Sequence, residues 1–178
     1  MATPPTFTTG QVLTAAQMNA VGLWLVKSQT VGSGVSSVEV TGEFNADYDH
    51  YFIPWEGGVG STGALIQMQL GASAASYNNI LFYGTSYVTP TPTGGASNSA
   101  SSWNFMGWAD ANFAHLDVRL FGPYLTKYTG CAMTYMGDSN AGVGGGIHKV
   151  ASSYTSFKLI PNTGTLTGGT IRVYGYRN

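Results

Sequence analysis

Charge is what this sequence has least of. Of its 178 residues, 7 are Lys or Arg and 8 are Asp or Glu, so 8% are charged and the net charge is −1 at pH 7. Soluble domains average about 25% charged residues. With no basic surplus, the chain has nothing to neutralise a phosphate backbone or to settle on anionic lipid, so no nucleic-acid partner is expected. Cysteine is almost missing as well: Cys131 stands alone, which excludes an intrachain disulfide and any thiolate metal cluster. No apolar run approaches the 18 or so residues of a spanning helix, so no membrane insertion is expected. The opening Met1-Ala2-Thr3-Pro4-Pro5 has neither the basic nor the apolar stretch of a secretory leader. Disorder is excluded too, because it combines low hydrophobicity with high net charge, and here 43% of residues are hydrophobic.

What is abundant is glycine, at 25 residues, and aromatic side chains, at 13%. Such a chain can bury one sizeable core. Its surface must be wetted by Ser, Thr, Asn, Gln and backbone, which suits an extracellular or particle-borne β protein better than a cytoplasmic enzyme. Apolar and polar residues alternate with a period of two. Val38 and Val40 share one strand face, and Ile66, Met68 and Leu70 face away from Leu65, Gln67 and Gln69. Strands are predicted over 23–31, 35–41, 48–55, 64–70, 79–88, 101–108, 113–121, 128–136, 147–150, 154–160 and 170–176. Pro54 is expected to end its strand at an edge or bulge. Gly57 to Ser61 reads as a flexible turn, and the Thr/Pro/Gly-rich segment 89–98 as a long exposed loop. Strands every 8–12 residues, with Gly, Asn and Ser between them, are the signature of a sandwich or barrel. The expected fold is all-β, an antiparallel, jelly-roll-like β-sandwich over residues 23–178.

Residues 1–22 stand apart as an N-terminal arm with one short helix. Thr14 and Gln17 form a capping box, Leu13 and Met18 a hydrophobic staple, and Gly22 a stop. Two turns are not stable alone, so the helix must dock. It either packs as a flap on its own domain or attaches the chain to a neighbouring subunit. Phe7, Leu13, Met18 and Trp24 are the candidate attachment contacts.

Catalytic strings fail on inspection. Gly137-Asp138-Ser139-Asn140 superficially looks like a GDSL esterase nucleophile block, but no acid follows Asp138 and the only later histidine is His148. A serine nucleophile needs a placed base, so a polar turn is the better reading. Asp47, Asp49 and His50 lack the glycine and distal glutamate of a calcium loop. His115 and Asp117 read as a polar patch that suits a subunit contact. The run Gly142-Val143-Gly144-Gly145-Gly146 leads into a predicted strand rather than a helix, so it reads as a hairpin turn and not as a phosphate cradle. No enzyme activity, cofactor or metal is expected. The aromatics near predicted loops, Trp55, Tyr77, Tyr87 and Trp103, are the candidates for contact with a surface ligand such as a host-cell glycan, core packing being the alternative for each.

Two stretches carry a family resemblance. Phe7-Thr8-Thr9-Gly10-Gln11-Val12-Leu13-Thr14-Ala15-Ala16-Gln17-Met18-Asn19-Ala20 resembles the opening of many tailed-phage structural polypeptides. The segment from Val21 to Lys27, 38–51, and the tail Leu166 to Asn178 resemble small tailed-phage virion proteins. The resemblance implies a symmetric homotrimer, held on the virion by its N-terminus beside other virion proteins of the tail or capsid. A minor tail or tail-fibre role with host adhesion follows, capsid decoration being the rival. A polysaccharide-degrading tail enzyme is a distant third, since it needs paired carboxylates and only eight acids exist.

Overall fold

The chain is described as a computed structural model over residues 9–10, 12, 14 and 22–177. The helix predicted over 13–20, the arm over 3–6, and the candidates Phe7, Leu13 and Met18 lie outside the described residues. Among the described residues there is no helix. Thirteen strands account for the regular structure: β1 (Leu23–Thr30), β2 (Val38–Thr41), β3 (Tyr48–Gly60), β4 (Ala64–Leu70), β5 (Tyr77–Gly84), β6 (Pro92–Ala100), β7 (Trp103–Ala109), β8 (Ala114–Phe121), β9 (Thr129–Gly137), β10 (Ala141–His148), β11 (Ser156–Pro161), β12 (Leu166–Thr167) and β13 (Thr170–Arg177). They form two antiparallel sheets. The larger runs β1-β13-β3-β8-β9-β10-β5-β6, with β12 paired to β3, and the smaller runs β2-β11-β4-β7.

The two-residue period decides what faces the core. In β4, Ala64, Ile66, Met68 and Leu70 are buried and the intervening residues are half-buried. In β8, Ala114, Leu116, Val118 and Leu120 do the same from the opposite sheet. One core cluster spans both sheets, from Val38, Ile66 and Phe157 to Ile53, Val118 and Ile171. Sheets packed face to face in this way bury one side of each strand. The small sheet is too narrow to cover the large one. Its edge strand β7 lies over β9, β5, β6 and β8 and alone roofs that half of the large sheet.

Four local expectations are corrected, each for a backbone reason. Pro54 does not end its strand: β3 is internal, between β13 and β8, and only the β13 ladder is interrupted, between Trp55 and Phe52. That is where Pro54 has no N–H to give. Gly57 to Gly60 continues β3 through a bulge opposite β8 instead of turning. A Cβ on Gly58 would sit inside the Trp55 indole, 2.5 Å from Cε2. The segment around Pro92 to Asn98 is not a loop but the edge strand β6, held by main-chain pairing to β5. It lacks apolar anchors because pairing with β5, and not burial, holds an edge strand.

The glycine run is likewise not a turn. Gly142 to Gly146 lies inside β10, paired on both sides. Alternate glycines face the crowded side. A Cβ on Gly142 would lie 2.5 Å from the Phe82 carbonyl oxygen, one on Gly144 2.6 Å from the Met133 sulfur, and one on Gly146 2.8 Å from Trp103 Nε1. Nothing stands within 4 Å of the same position at Gly84. Overpacking of this kind costs about 1–3 kcal/mol. Gly144→Ala should therefore lose about 2 kcal/mol or more in urea melts, while Gly84→Ala, on the adjacent strand, stays within about 0.5 kcal/mol. Equal melts for the two variants would refute the close approach.

Candidate functional site

The aromatic candidates separate once their surroundings are known. Trp55, expected near a ligand, is buried, and its Nε1–H donates to the Gly168 carbonyl at 3.3 Å. Tyr77 and Trp103 are buried together, ring centroids 5.2 Å apart and nearly perpendicular. Tyr77 accepts the Leu70 N–H at 2.8 Å, donates to the Ser73 carbonyl at 3.2 Å, and stacks on His148 at 4.0 Å. These three are core residues, unavailable to a surface ligand, because each lies on the inward side of its strand. Tyr87 is different: it is 61% exposed, and its hydroxyl reaches the carbonyls of Gly137 and Asn140 at 3.1 and 3.0 Å. Trp24 is half-buried on β1, with its indole N–H buried and unpaired.

Two buried polar groups escaped the sequence reading, since neither sits in a motif. His148 Nε2 bonds the Tyr154 hydroxyl at 2.7 Å and the Ser73 hydroxyl at 3.1 Å. Its ring also interacts with the Ser76 backbone. Burial holds its basicity below the usual histidine range. Glu43 is the second. It is fully buried beside Phe44. Burial pushes its pKa from 4.5 up to about 8, only partly offset by its own backbone N–H, the Lys27 ammonium and the Phe157 backbone. Cys131 is buried, and burial drives its thiol up to about 12.

The Asp138 turn binds its own loops. Asp138 Oδ2 accepts from the Asn112 side chain at 2.8 Å, and Asp110 Oδ2 accepts the Asp138 N–H at 2.9 Å and the Asn140 amide at 3.2 Å. The polar-turn reading of Gly137-Asp138-Ser139-Asn140 agrees with this placement. Asp47 closes an Asx turn on Asn45. His115 and Asp117 are 3.4 Å apart on β8, on the outward face of the large sheet.

That outward face is a broad surface that no other described strand covers. Strand register lines up Leu23, Tyr176, His50, Phe121, Gly130 and Ile147 in one row across six strands. The next row is Leu25, Tyr174, Phe52, Arg119, Ala132, Gly145 and Ile80. Phe52 stacks on Tyr174 at 6.2 Å, and His50 meets Phe121 edge-on at 5.5 Å. Toward the β5–β6 edge the face becomes ridged, with Phe82 64% exposed, Val143 56% and Ile80 50%. Beside these ridges lie grooves of 380 and 340 Å³, floored in part by the β10 glycines. Eight strands about 4.8 Å apart and about 26 Å long span roughly 900 Å². A monomer's largest apolar patch is about 300–600 Å², and a standard interface takes about 800 Å² from each partner. The sequence held the outward positions, but only the register shows them as one surface. Compared with protein-family models, curated proteins and solved structures, the chain matches none.

Glu43 makes a pH prediction. The folded chain keeps this proton up to about pH 8, whereas the unfolded chain releases it near 4.5. Its contribution to stability is therefore complete below about pH 4.5 and is lost as pH rises through 8, at no more than about 1.4 kcal/mol per pH unit. His148 acts in the opposite sense, since its lowered basicity removes stability as pH falls below 6.5. Glu43→Gln should flatten the loss between pH 5 and 8 in denaturant titrations. An unchanged slope in the variant would exclude Glu43 as its source.

Proposed function

We propose that this chain is a non-enzymatic structural protein of a tailed-phage virion, fixed to the particle by residues 1–22 and acting as a minor tail or tail-fibre module in host adhesion. It works as a homotrimer, self-associating through the outward face of the large sheet, beside other virion proteins. The observation that carries the reading is that face. A broad, mostly apolar sheet surface on a chain of net charge −1 favours association over life as a free monomer. Closed symmetric assembly is the usual way to cover such a surface.

Strand order supports the jelly-roll reading of the sandwich. With β5, β6, β9, β10 and β12 set aside, the sheets reduce to β1-β13-β3-β8 and β2-β11-β4-β7. That order is the one expected for an eight-stranded double Greek key, an architecture found in capsid and lectin domains. The two inserted pairs, β5–β6 and β9–β10, join each other and extend the large sheet on one side.

The ends of the sandwich also differ in a way that suits attachment. Residues 1–22 precede Leu23, which pairs with Tyr176 at the end that also holds His50 and Phe121. The turns after β5, β7 and β9 lie at the opposite end. An arm anchored at one end leaves that loop cluster pointing away from the particle.

Sedimentation at micromolar concentration tests the assembly. The wild type should run as a trimer, and the double change Ile80→Ser with Phe82→Ser should yield folded monomers. A wild-type monomer would sink the self-association reading. Deleting residues 1–22 should leave a folded sandwich that no longer enters particles, checked by mass spectrometry of purified virions. Incorporation of the truncated chain would refute the anchor, and imaging that placed the protein on the capsid lattice would replace adhesion by decoration.

A further inference from the structure

We propose that the loop end of the sandwich carries a binding pocket for a neutral sugar ring, seated between the aromatic rings of Tyr83 and Trp108 and the Asp110–Asn140 pair. This deepens the adhesion role proposed above and rests on that reading for its place on a particle, while its binding test is independent of particle location. The cavity measures 290 Å³ and is lined by Tyr83, Thr85, Trp108, Asp110, Ser139 and Asn140. That is near the lower bound of about 300 Å³ for small-molecule sites, which suits one ring rather than an enclosed chain of them.

The site is built before any ligand arrives. Three connections meet there, those following β5, β7 and β9. Asp110 ties the third to the second through the Asp138 N–H and the Asn140 amide, and Tyr87 reaches over to the carbonyls of Gly137 and Asn140. Gly137 is required beneath them, since a Cβ there would stand 3.2 Å from Asn140 Oδ1 and closer still to the Asp110 carboxylate.

One acceptor remains unspent on the cavity wall. Asn140 Oδ1 is buried away from the opening, and its amide is held by Asp110. Asp110 commits Oδ2 twice, while Oδ1 makes no hydrogen bond among the described residues. Asp110 thus lines the cavity with one carboxylate oxygen free to accept from a ligand that brings donors. Beside it, Tyr83 and Trp108 pack together with centroids 5.5 Å apart at a 44° tilt and give the cavity an apolar wall. A sugar ring supplies both halves of the match: hydroxyl donors along its edge and C–H bonds across its face. An organic ammonium would meet the Asp110 carboxylate as well, but with two aromatic rings rather than a closed cage around it, and choline serves as the probe that separates the two ligands. Among the described residues no three His, Cys, Asp or Glu side chains gather as ligands for a cation.

Saturation-transfer NMR on the full chain decides the matter, with glucose, galactose, N-acetylglucosamine and choline chloride as the probes at millimolar concentration. Transfer to at least one sugar is expected, with amide shifts at Thr85, Asp110 and Asn140. Affinity should fall about tenfold or more in Trp108→Ala and in Asp110→Asn. Because either change could disturb the turn, the wild-type amide map serves as the second criterion. No transfer to any sugar, shifts confined to other loops, or transfer to choline alone would overturn the proposal. Particle imaging that placed the protein on the capsid would refute adhesion and leave this result standing.

Discussion

The close approach of β10 to its surroundings is the constraint from which the rest of the architecture follows. Phe82 and Asn78 carbonyls of β5 occupy the space where side chains at Gly142 and Gly146 would begin, and Trp103 of β7 and Met133 of β9 crowd the same side. Strand pairing at this distance tolerates only glycine at those positions, although glycine inside a strand loses packing and adds unfolded-state entropy. In return a single strand can roof half of a large sheet. β7 answers with its own concession: a Cβ on Gly107 would lie 2.7 Å from that of Tyr135. The conformational freedom usually associated with a glycine run is therefore not why these glycines are there. Their small size is.

The same device shapes the other side of the sheet. Gly145 stands between Val143 and Ile147 on the outward side of β10, so the strand leaves low ground beside the ridges of Val143 and of Ile80 and Phe82. Apolar residues spread across the remaining strands make the face continuous. Charge there is carried by Arg119, His115, Asp117 and the Arg172–Glu56 ion pair, so burial of the face against another copy must keep these groups paired or at its rim. A deficit of charge that would threaten the solubility of an isolated domain is consistent with a surface meant to be covered.

What could be read in the sequence followed how local the cause was. β4, β8 and the Val38–Val40 face were legible because alternation reports burial directly. The turn around Asp138 was legible because a glycine and short polar residues mark it in the sequence, although its side chains bond Asp110 and Asn112 in another connection. β6 and β10 were not, since both lack apolar alternation and owe their strand state to partners far along the chain, β5 in each case. Trp55, Tyr77 and Trp103 were misplaced for a related reason: proximity to a glycine or a loop in sequence does not say which side of a strand an indole takes. The Asp110–Asn140 pair, thirty residues apart in the chain, had no signature at all. Only the convergence of three loops made it visible.

The two inserted strand pairs tie these features together. Without β5–β6 and β9–β10, the large sheet would nearly match the small one in width, and the outward face would shrink to about half. The same strand pairs carry the turns holding Tyr87, Ser139 and Asn140 to the end opposite Leu23. One elaboration of a plain sandwich thus widens the face that suits self-association and builds the loop cluster at the far end. If copies pack through that face with a common axis, their loop clusters come to lie side by side at one tip. Sites that are individually weak then act together, because linked sites raise the effective concentration of each for a multivalent surface. A small open cleft with one unspent acceptor is a poor receptor in a monomer. Repeated at the tip of a symmetric oligomer, it is well placed to hold a surface dense in one repeated group.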